Sequence, residues 1–344
     1  MPEKNEVLLE IKNLKTYFYL AEGIVRAVDG ADLTVYRGQT MGIVGESGCG
    51  KSMMSLSTMR LVPPPGKIVE GEILYHRPIE GNGGLVDHIN ITQLNPTGKE
   101  IRDIRGNQIS MVFQEPMTAM SPVRTIGLQI TEAIMLHQNL DKKAAREVAI
   151  DILSKVRMPK PDRVIDDYPF QLSGGMRQRA VIAMALSCRP NLLIADEPTT
   201  TLDVTTEAQI LDLMRALQEE FGMAIIYITH NLGVIAEMAE DVAVMYLGKV
   251  VEQTDVKTIF FSPLHPYTQG LLASIPQLSD AIGHTKKDNR LYVIKGMVPD
   301  PYSRLKGCPF HPRCPKLIAG VCDKVEPKVN QPNENHLVRC HLYG

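Results

Sequence analysis

Apolar and polar positions alternate through Val7-Leu8-Leu9-Glu10-Ile11 and again through Ala31-Asp32-Leu33-Thr34-Val35, with turn residues at Asp29-Gly30 and Arg37-Gly38. A period of two, punctuated in this way, predicts twisted antiparallel strands over residues 7–44. Two later runs, Leu192-Leu193-Ile194-Ala195 and Ala224-Ile225-Ile226-Tyr227-Ile228, are continuously apolar. That suits parallel strands covered on both faces, so the core is read as α/β. Within residues 125–157 the period becomes helical: Ala145, Val148, Ala149, Ile152, Leu153 and Val156 share one stripe, and Asp141 is placed as an N-cap. This predicts a helical subdomain inserted into the α/β core. Residues 76–100, rich in Gly, Asn and Pro, read as an exposed loop insertion, and the chain contains no internal repeat or heptad run.

Composition narrows the picture modestly. A chain of 344 residues is long enough for two domains and a self-sufficient core. A net charge of −2 gives no global pull towards nucleic acid. No apolar run approaches the roughly 18 residues needed to span a bilayer, and the first residues lack a signal-peptide core. A cytosolic protein is expected, reaching a membrane only through a partner. Of six cysteines, Cys49 and Cys188 are isolated, whereas Cys308, Cys314, Cys322 and Cys340 crowd into the last 37 residues.

The candidate chemistry begins at Gly45-Glu46-Ser47-Gly48-Cys49-Gly50-Lys51-Ser52, which follows the apolar run Met41-Gly42-Ile43-Val44 and precedes a helix-compatible stretch. The glycines let backbone N–H groups and the next helix's N-terminus face phosphates. Lys51 would then reach the β- and γ-phosphates and Ser52 would ligate Mg²⁺. Downstream, the apolar strand at Leu192 ends in Asp196-Glu197, at the strand end where α/β sheets place ligands. There Asp196 would hold Mg²⁺ through water and Glu197 would orient or deprotonate the attacking water. In Leu172-Ser173-Gly174-Gly175-Met176-Arg177-Gln178-Arg179, Ser173 caps a helix opening on two glycines, which offers donors to an anion. Such a site is redundant beside a complete phosphate loop unless the anion belongs to another subunit's nucleotide.

With these motifs the chain resembles the ATP-binding cassette (ABC) ATPases, in which two subunits sandwich two ATP molecules head to tail. The resemblance implies a P-loop ABC-type fold with an N-terminal antiparallel β subdomain, an inserted helical subdomain and a small Cys-rich C-terminal domain. It implies roles for Gln114, which contacts Mg²⁺ and water, for Asp203, at the subunit interface, and for His230, which senses the γ-phosphate. Phe18 is the match for the aromatic that stacks on adenine, with Tyr17 and Tyr19 flanking it. Departures are mild: Cys49 replaces the commoner Ser, Met176 a frequent Gln and Thr201 a frequent Ala.

One branch, the ATP-binding subunits of oligopeptide/dipeptide importers, is similar over nearly the whole chain. The similarity rests on Gln114-Glu115-Pro116-Met117-Thr118, His230-Asn231-Leu232-Gly233-Val234, Pro263-Leu264-His265-Pro266-Tyr267-Thr268 and Gly307-Cys308-Pro309-Phe310-His311-Pro312-Arg313-Cys314. It implies a cassette over residues 1–255, with its helical subdomain at about 115–172, and a C-terminal domain over 256–344. It also implies two permease subunits, a second paralogous ATPase or a second copy, an extracytoplasmic solute-binding protein, and a position on the cytoplasmic face of the membrane. Relatives carry oligosaccharides or nickel, and a soluble ABC ATPase without transport is the alternative of a different class. The tail cysteines, spaced C-x5-C-x7-C-x17-C, suit a [4Fe–4S] cluster in a reducing compartment. Zinc, with His311, His336 or His341 as nitrogen ligands, is the runner-up, and unligated cysteines are the third alternative. The cluster is expected to staple a tail with few core residues, or to make it a redox-sensing module, while the ATP site is expected to lie wholly upstream.

Overall fold

The structure, a computed structural model, describes residues 6–78, 86–114, 119–200, 202–275 and 293–344. Along the chain these form β1 (Val7–Leu20), β2 (Gly23–Tyr36), β3 (Thr40–Val44), α1 (Lys51–Thr58), β4 (Gly66–Pro78) and β5 (Val86–Asn90). There follow α2 (Lys99–Ile104), β6 (Ile109–Val112), α3 (Ile126–His137), α4 (Lys142–Lys155), α5 (Pro161–Val164), α6 (Gly174–Leu186) and β7 (Leu192–Asp196). The remainder comprises α7 (Val204–Phe221), β8 (Ala224–Ile228), α8 (Leu232–Met238), β9 (Asp241–Tyr246), β10 (Lys249–Asp255), α9 (Val256–Phe261), α10 (Pro266–Ala273), β11 (Asn330–Asn333) and β12 (His336–Val338). Strands β2, β1, β4 and β5 form one sheet in that order, as the alternating pattern at the N-terminus requires. The segment read as a loop insertion is therefore more ordered than expected, since it supplies the end of β4, β5 and the start of α2; residues 79–85 lie outside the description.

The chain divides into two compact units. One comprises residues 1–9, 35–40 and 75–228; the other comprises 10–34, 41–74 and 229–344. In the first, β6, β7 and β8 are parallel neighbours, with Ile194 paired to both Met111 and Ile226. Every residue of β7 and β8 is buried, as their unbroken apolar runs predict. Helices α3, α4 and α6 pack together as the expected helical subdomain, and α6 also contacts β6. Asp141 caps α4 by accepting the Ala144 N–H at 2.8 Å, and Ala145, Ala149, Ile152 and Leu153 form its buried stripe. In the second unit, β3 runs parallel to β9, β9 pairs antiparallel with β10, and the chain's last strands extend this edge in the order β10-β12-β11. Among the described residues no helix is long and apolar enough to cross a membrane.

Candidate functional site

The phosphate loop connects β3 to α1. Its backbone is feasible only for glycine at Gly50, where φ is 106° and a Cβ would lie 2.1 Å from the Ala27 carbonyl oxygen. Gly50 is also the N-cap of α1 and brings no capping side chain, so the helix's leading N–H groups are left for an anion. Lys51 is buried, and its Nζ donates to the carbonyls of Gly45 (2.8 Å) and Glu46 (3.2 Å). Ser52 is the next residue of the same helix. The Cys49 thiol is held above its ordinary range by burial, which Lys51 partly offsets. An open cavity of about 1040 Å³ reaches Ser47 and Gly48 and is lined also by Tyr17, Arg26, Lys249 and Arg304.

Phe18 does not line that cavity. Its ring lies against Gly66, where a Cβ would be only 2.7 Å from it, whereas Tyr17 faces the cavity and donates to Asp29 Oδ1 at 2.5 Å. Successive strand residues point to opposite faces, so only one of the pair can do so.

In the other unit, Asp196 ends β7 as a buried residue and Glu197 follows with φ 46°. A non-glycine residue in this left-handed region carries strain of about 1–2 kcal/mol. Glu197 Oε2 accepts from Gln114 Nε2 at 3.1 Å and from Thr200 Oγ1 at 3.0 Å. The structure thus joins Gln114 to Glu197, and it adds Thr200, which the sequence did not single out. Ser173 is the N-cap of α6, accepting the Met176 N–H at 3.3 Å ahead of Gly174 and Gly175. A Cβ on Gly175 would approach Thr206 Cγ2 to 2.8 Å, so this turn packs closely on the start of α7. Asp203 caps α7, and the N–H and hydroxyl of Thr206 hold its carboxyl below the usual carboxylate range. His230 lies between the end of β8 and Asn231, the N-cap of α8. Residues 115–118 and Thr201, part of the motifs above, lie outside the described residues.

The tail departs from expectation. Cys308, Cys322 and Cys340 are buried and Cys314 half-buried. Burial, with the neighbouring thiols adding to it, pushes the Cys308 thiol up to about 12. Yet among the described residues no group of three or more His, Cys, Asp or Glu side chains is disposed to hold a metal ion. The [4Fe–4S] cluster on Cys308, Cys314, Cys322 and Cys340 is therefore not supported. Neither is the zinc alternative with His311, His336 or His341, on the same ground; one ring nitrogen of each meets another partner, the Cys308 carbonyl, Glu252 and the Val325 carbonyl respectively. The tail has few buried apolar side chains, as expected, and Phe310 is the largest of them among the described residues. Phe310 is buried in contact with Tyr246, Tyr267 and His265, with ring centroids 5.3, 5.4 and 5.8 Å away.

A glycine-rich loop capping α1, in a chain whose parallel strand β7 ends in paired carboxylates, defines a P-loop nucleoside triphosphatase, and the Ser-Gly-Gly turn of α6 marks the cassette type. Residues 28–200 match the family described as ABC transporter, and residues 251–322 match the oligopeptide/dipeptide transporter C-terminal region. The oligopeptide transport ATP-binding protein AppD of Bacillus subtilis (strain 168) is 47% identical over 98% of this chain and 97% of its own length. The dipeptide transport ATP-binding protein DppD of Escherichia coli (strain K12) is 43% identical over 97% of this chain and 96% of its own. A dimeric ATP-binding cassette, MJ0796, solved with ADP and Pi, superposes with a TM-score of 0.61 at 27% identity, covering 72% of this chain and 99% of that one. The chain belongs to the ABC transporter family of ATPases, in its oligopeptide/dipeptide ATP-binding branch.

Proposed function

We propose that this chain is the ATP-hydrolysing subunit that powers import of oligo- or dipeptides. The observation that carries the reading is the union, in one chain, of the cassette match with the oligopeptide/dipeptide C-terminal match. The names of its relatives, for oligopeptide and dipeptide transport, support a peptide cargo over nickel or an oligosaccharide. The chain would dock on two permease subunits at the cytoplasmic face of the membrane and pair with a paralogous ATPase or a second copy. A solute-binding protein on the other side would supply the cargo.

In this reading Lys51 exchanges its loop carbonyls for the β- and γ-phosphates. Ser52, Gln114 and Asp196 would hold Mg²⁺, since their hydroxyl, carboxamide and carboxylate oxygens are the hard donors that suit it. When bound, that ion neutralises phosphate charge. Glu197 orients the attacking water and takes its proton, its carboxylate steadied by Gln114 and Thr200. His230 senses the γ-phosphate, and Tyr17 rather than Phe18 faces the base. Ser173, Gly174 and Gly175 serve the partner ATPase's nucleotide, with Asp203 at the junction.

Glu197→Gln is expected to retain ATP binding and lose hydrolysis by about 10²-fold or more, whereas Lys51→Ala loses binding as well. Equilibrium nucleotide titration and phosphate release measure the two, and full turnover by Glu197→Gln would refute its role. For the cargo, a strain lacking this chain should lose uptake of labelled peptides. Unchanged peptide uptake with lost nickel or oligosaccharide uptake would reassign it.

A further inference from the structure

Glu46 places a carboxylate inside the phosphate loop, one residue after Gly45, where a polyanion must settle. An unpaired negative charge there opposes phosphate binding. It is not unpaired. Arg313, from the C-terminal segment, grips it in bidentate fashion, Nη1 to Oε2 at 2.7 Å and Nη2 to Oε1 at 3.0 Å. Such a fork fixes the acceptor's orientation as well as its charge. The Arg313 side chain is 4% exposed and that of Glu46 27%, so the pair is largely shielded from solvent. Glu46's carboxylate in turn holds the guanidinium's pKa above its ordinary value.

The arginine is itself held in place. It ends the short 3₁₀ turn His311–Arg313, its guanidinium lies 5.8 Å from the Tyr246 ring centroid, and its Nη1 also reaches the Tyr246 hydroxyl at 3.3 Å. Phe310, just before the turn, is wedged against Tyr246 and Tyr267. Tyr267, from α10, completes the clamp, because its hydroxyl accepts the Glu46 backbone N–H at 2.9 Å. The loop residue is therefore fixed at its main chain by one element of the C-terminal segment and at its side chain by another. This overturns the expectation that the ATP site lies wholly upstream of the tail.

We propose that Arg313 and Tyr267 are positioning residues of the phosphate loop, through which the C-terminal segment sets the loop's affinity for nucleotide phosphates. The inference rests on residues 45–52 being the ATP-binding loop, and Lys51→Ala tests that separately: unchanged ATP affinity in this variant would remove the ATP-site reading itself. In the full-length chain, Arg313→Met should weaken ATP binding about tenfold, or about 1.4 kcal/mol, by leaving the Glu46 charge exposed to the phosphates. The loss should fall on KM for MgATP rather than on kcat. Adding Glu46→Gln to Arg313→Met should restore part of the affinity, since the carboxylate that opposes phosphate is then gone. A residue that merely stabilises the fold has no reason to be rescued in this way. Arg313→Lys, which keeps the charge without the fork, should fall between. Should Arg313→Met fail to fold, Tyr267→Phe removes only the acceptor of the Glu46 N–H, and it too should raise KM. Wild-type ATP affinity in folded Arg313→Met or in Tyr267→Phe, or losses in Arg313→Met and Glu46→Gln that simply multiply in the double variant, would overturn the proposal.

Discussion

Buried Glu252, on β10, shows how single residues tie the tail to the sheet. Its carboxylate accepts the N–H groups of Leu264 and His265 at 2.6 and 3.0 Å and meets His336 Nε2 at 2.7 Å. His265 is fully buried, and its Nδ1 accepts the Tyr267 N–H at 3.1 Å, which requires the neutral ring. Burial drives its pKa down to about 4, against a weaker opposing pull from Glu252. The unfolded chain thus binds the proton at about 6.5 and the folded chain only near 4, so stability falls as pH drops through that window. Between pH 7 and pH 5 the expected loss is on the order of 2 kcal/mol, the remainder falling below pH 5. Denaturant titrations at pH 7 and pH 5 measure it. His265→Gln should lower stability at pH 7 and flatten the slope, and an unchanged slope would rule His265 out as its source.

Helix caps carry the next scale. Asp141 and Ser173 both occupy N-cap positions, at α4 and α6, and each accepts one N–H of its helix's first turn. Either residue changed to Ala should cost about 1 kcal/mol of stability. Only Ser173→Ala should also depress ATP turnover, because Ser173 is assigned to the partner's nucleotide and Asp141 to none. Equal ATPase rates in the two variants would reduce Ser173 to a cap. Elements with a strong, repeated signal were legible in the sequence: β7 and β8 from unbroken apolar runs, α4 from its stripe and cap. Elements without one were missed. β5 and α2 are short, and their neighbouring Gly, Asn and Pro residues outweighed their few buried side chains, Ile89, Ile101 and Ile104. In the site, fixed local spacings exposed the loop and the carboxylate pair. The tyrosine facing the cavity depended on strand phase, and Arg313 and Tyr267 meet Glu46 across 267 and 221 residues of sequence, a separation that no local pattern encodes. Arg313 lies in the very motif singled out for its cysteines, which drew the reading towards metal.

At the scale of the whole molecule, the phosphate loop, His230 and the tail share one compact unit, while Gln114, Ser173, Asp196, Glu197 and Asp203 lie in the other. The tail is thus part of the loop's own unit, and a chain ending at residue 255 should lose nucleotide binding along with Tyr267 and Arg313; a folded truncation with intact ATP affinity would contradict this. The Ser-Gly-Gly turn of α6 raises a larger question, because a cassette with its own loop has no use for a second set of anion donors. If that turn completes a site on a second copy, two differently disabled chains should rescue one another. Glu197→Gln spoils the site built on its own loop but donates an intact turn, whereas Ser173→Ala keeps an intact loop and carboxylate but donates a damaged turn. In a self-paired dimer, mixing them gives one composite site with both lesions and one with neither. An equimolar mixture forms mixed dimers about half the time, leaving about one site in four intact. ATP turnover should rise to about a quarter of the wild-type rate, well above either parent, and should fall on dilution as the dimers separate. A mixture no more active than the average of its parents, or a specific activity that does not change on dilution of a demonstrated monomer, would overturn the self-paired composite site.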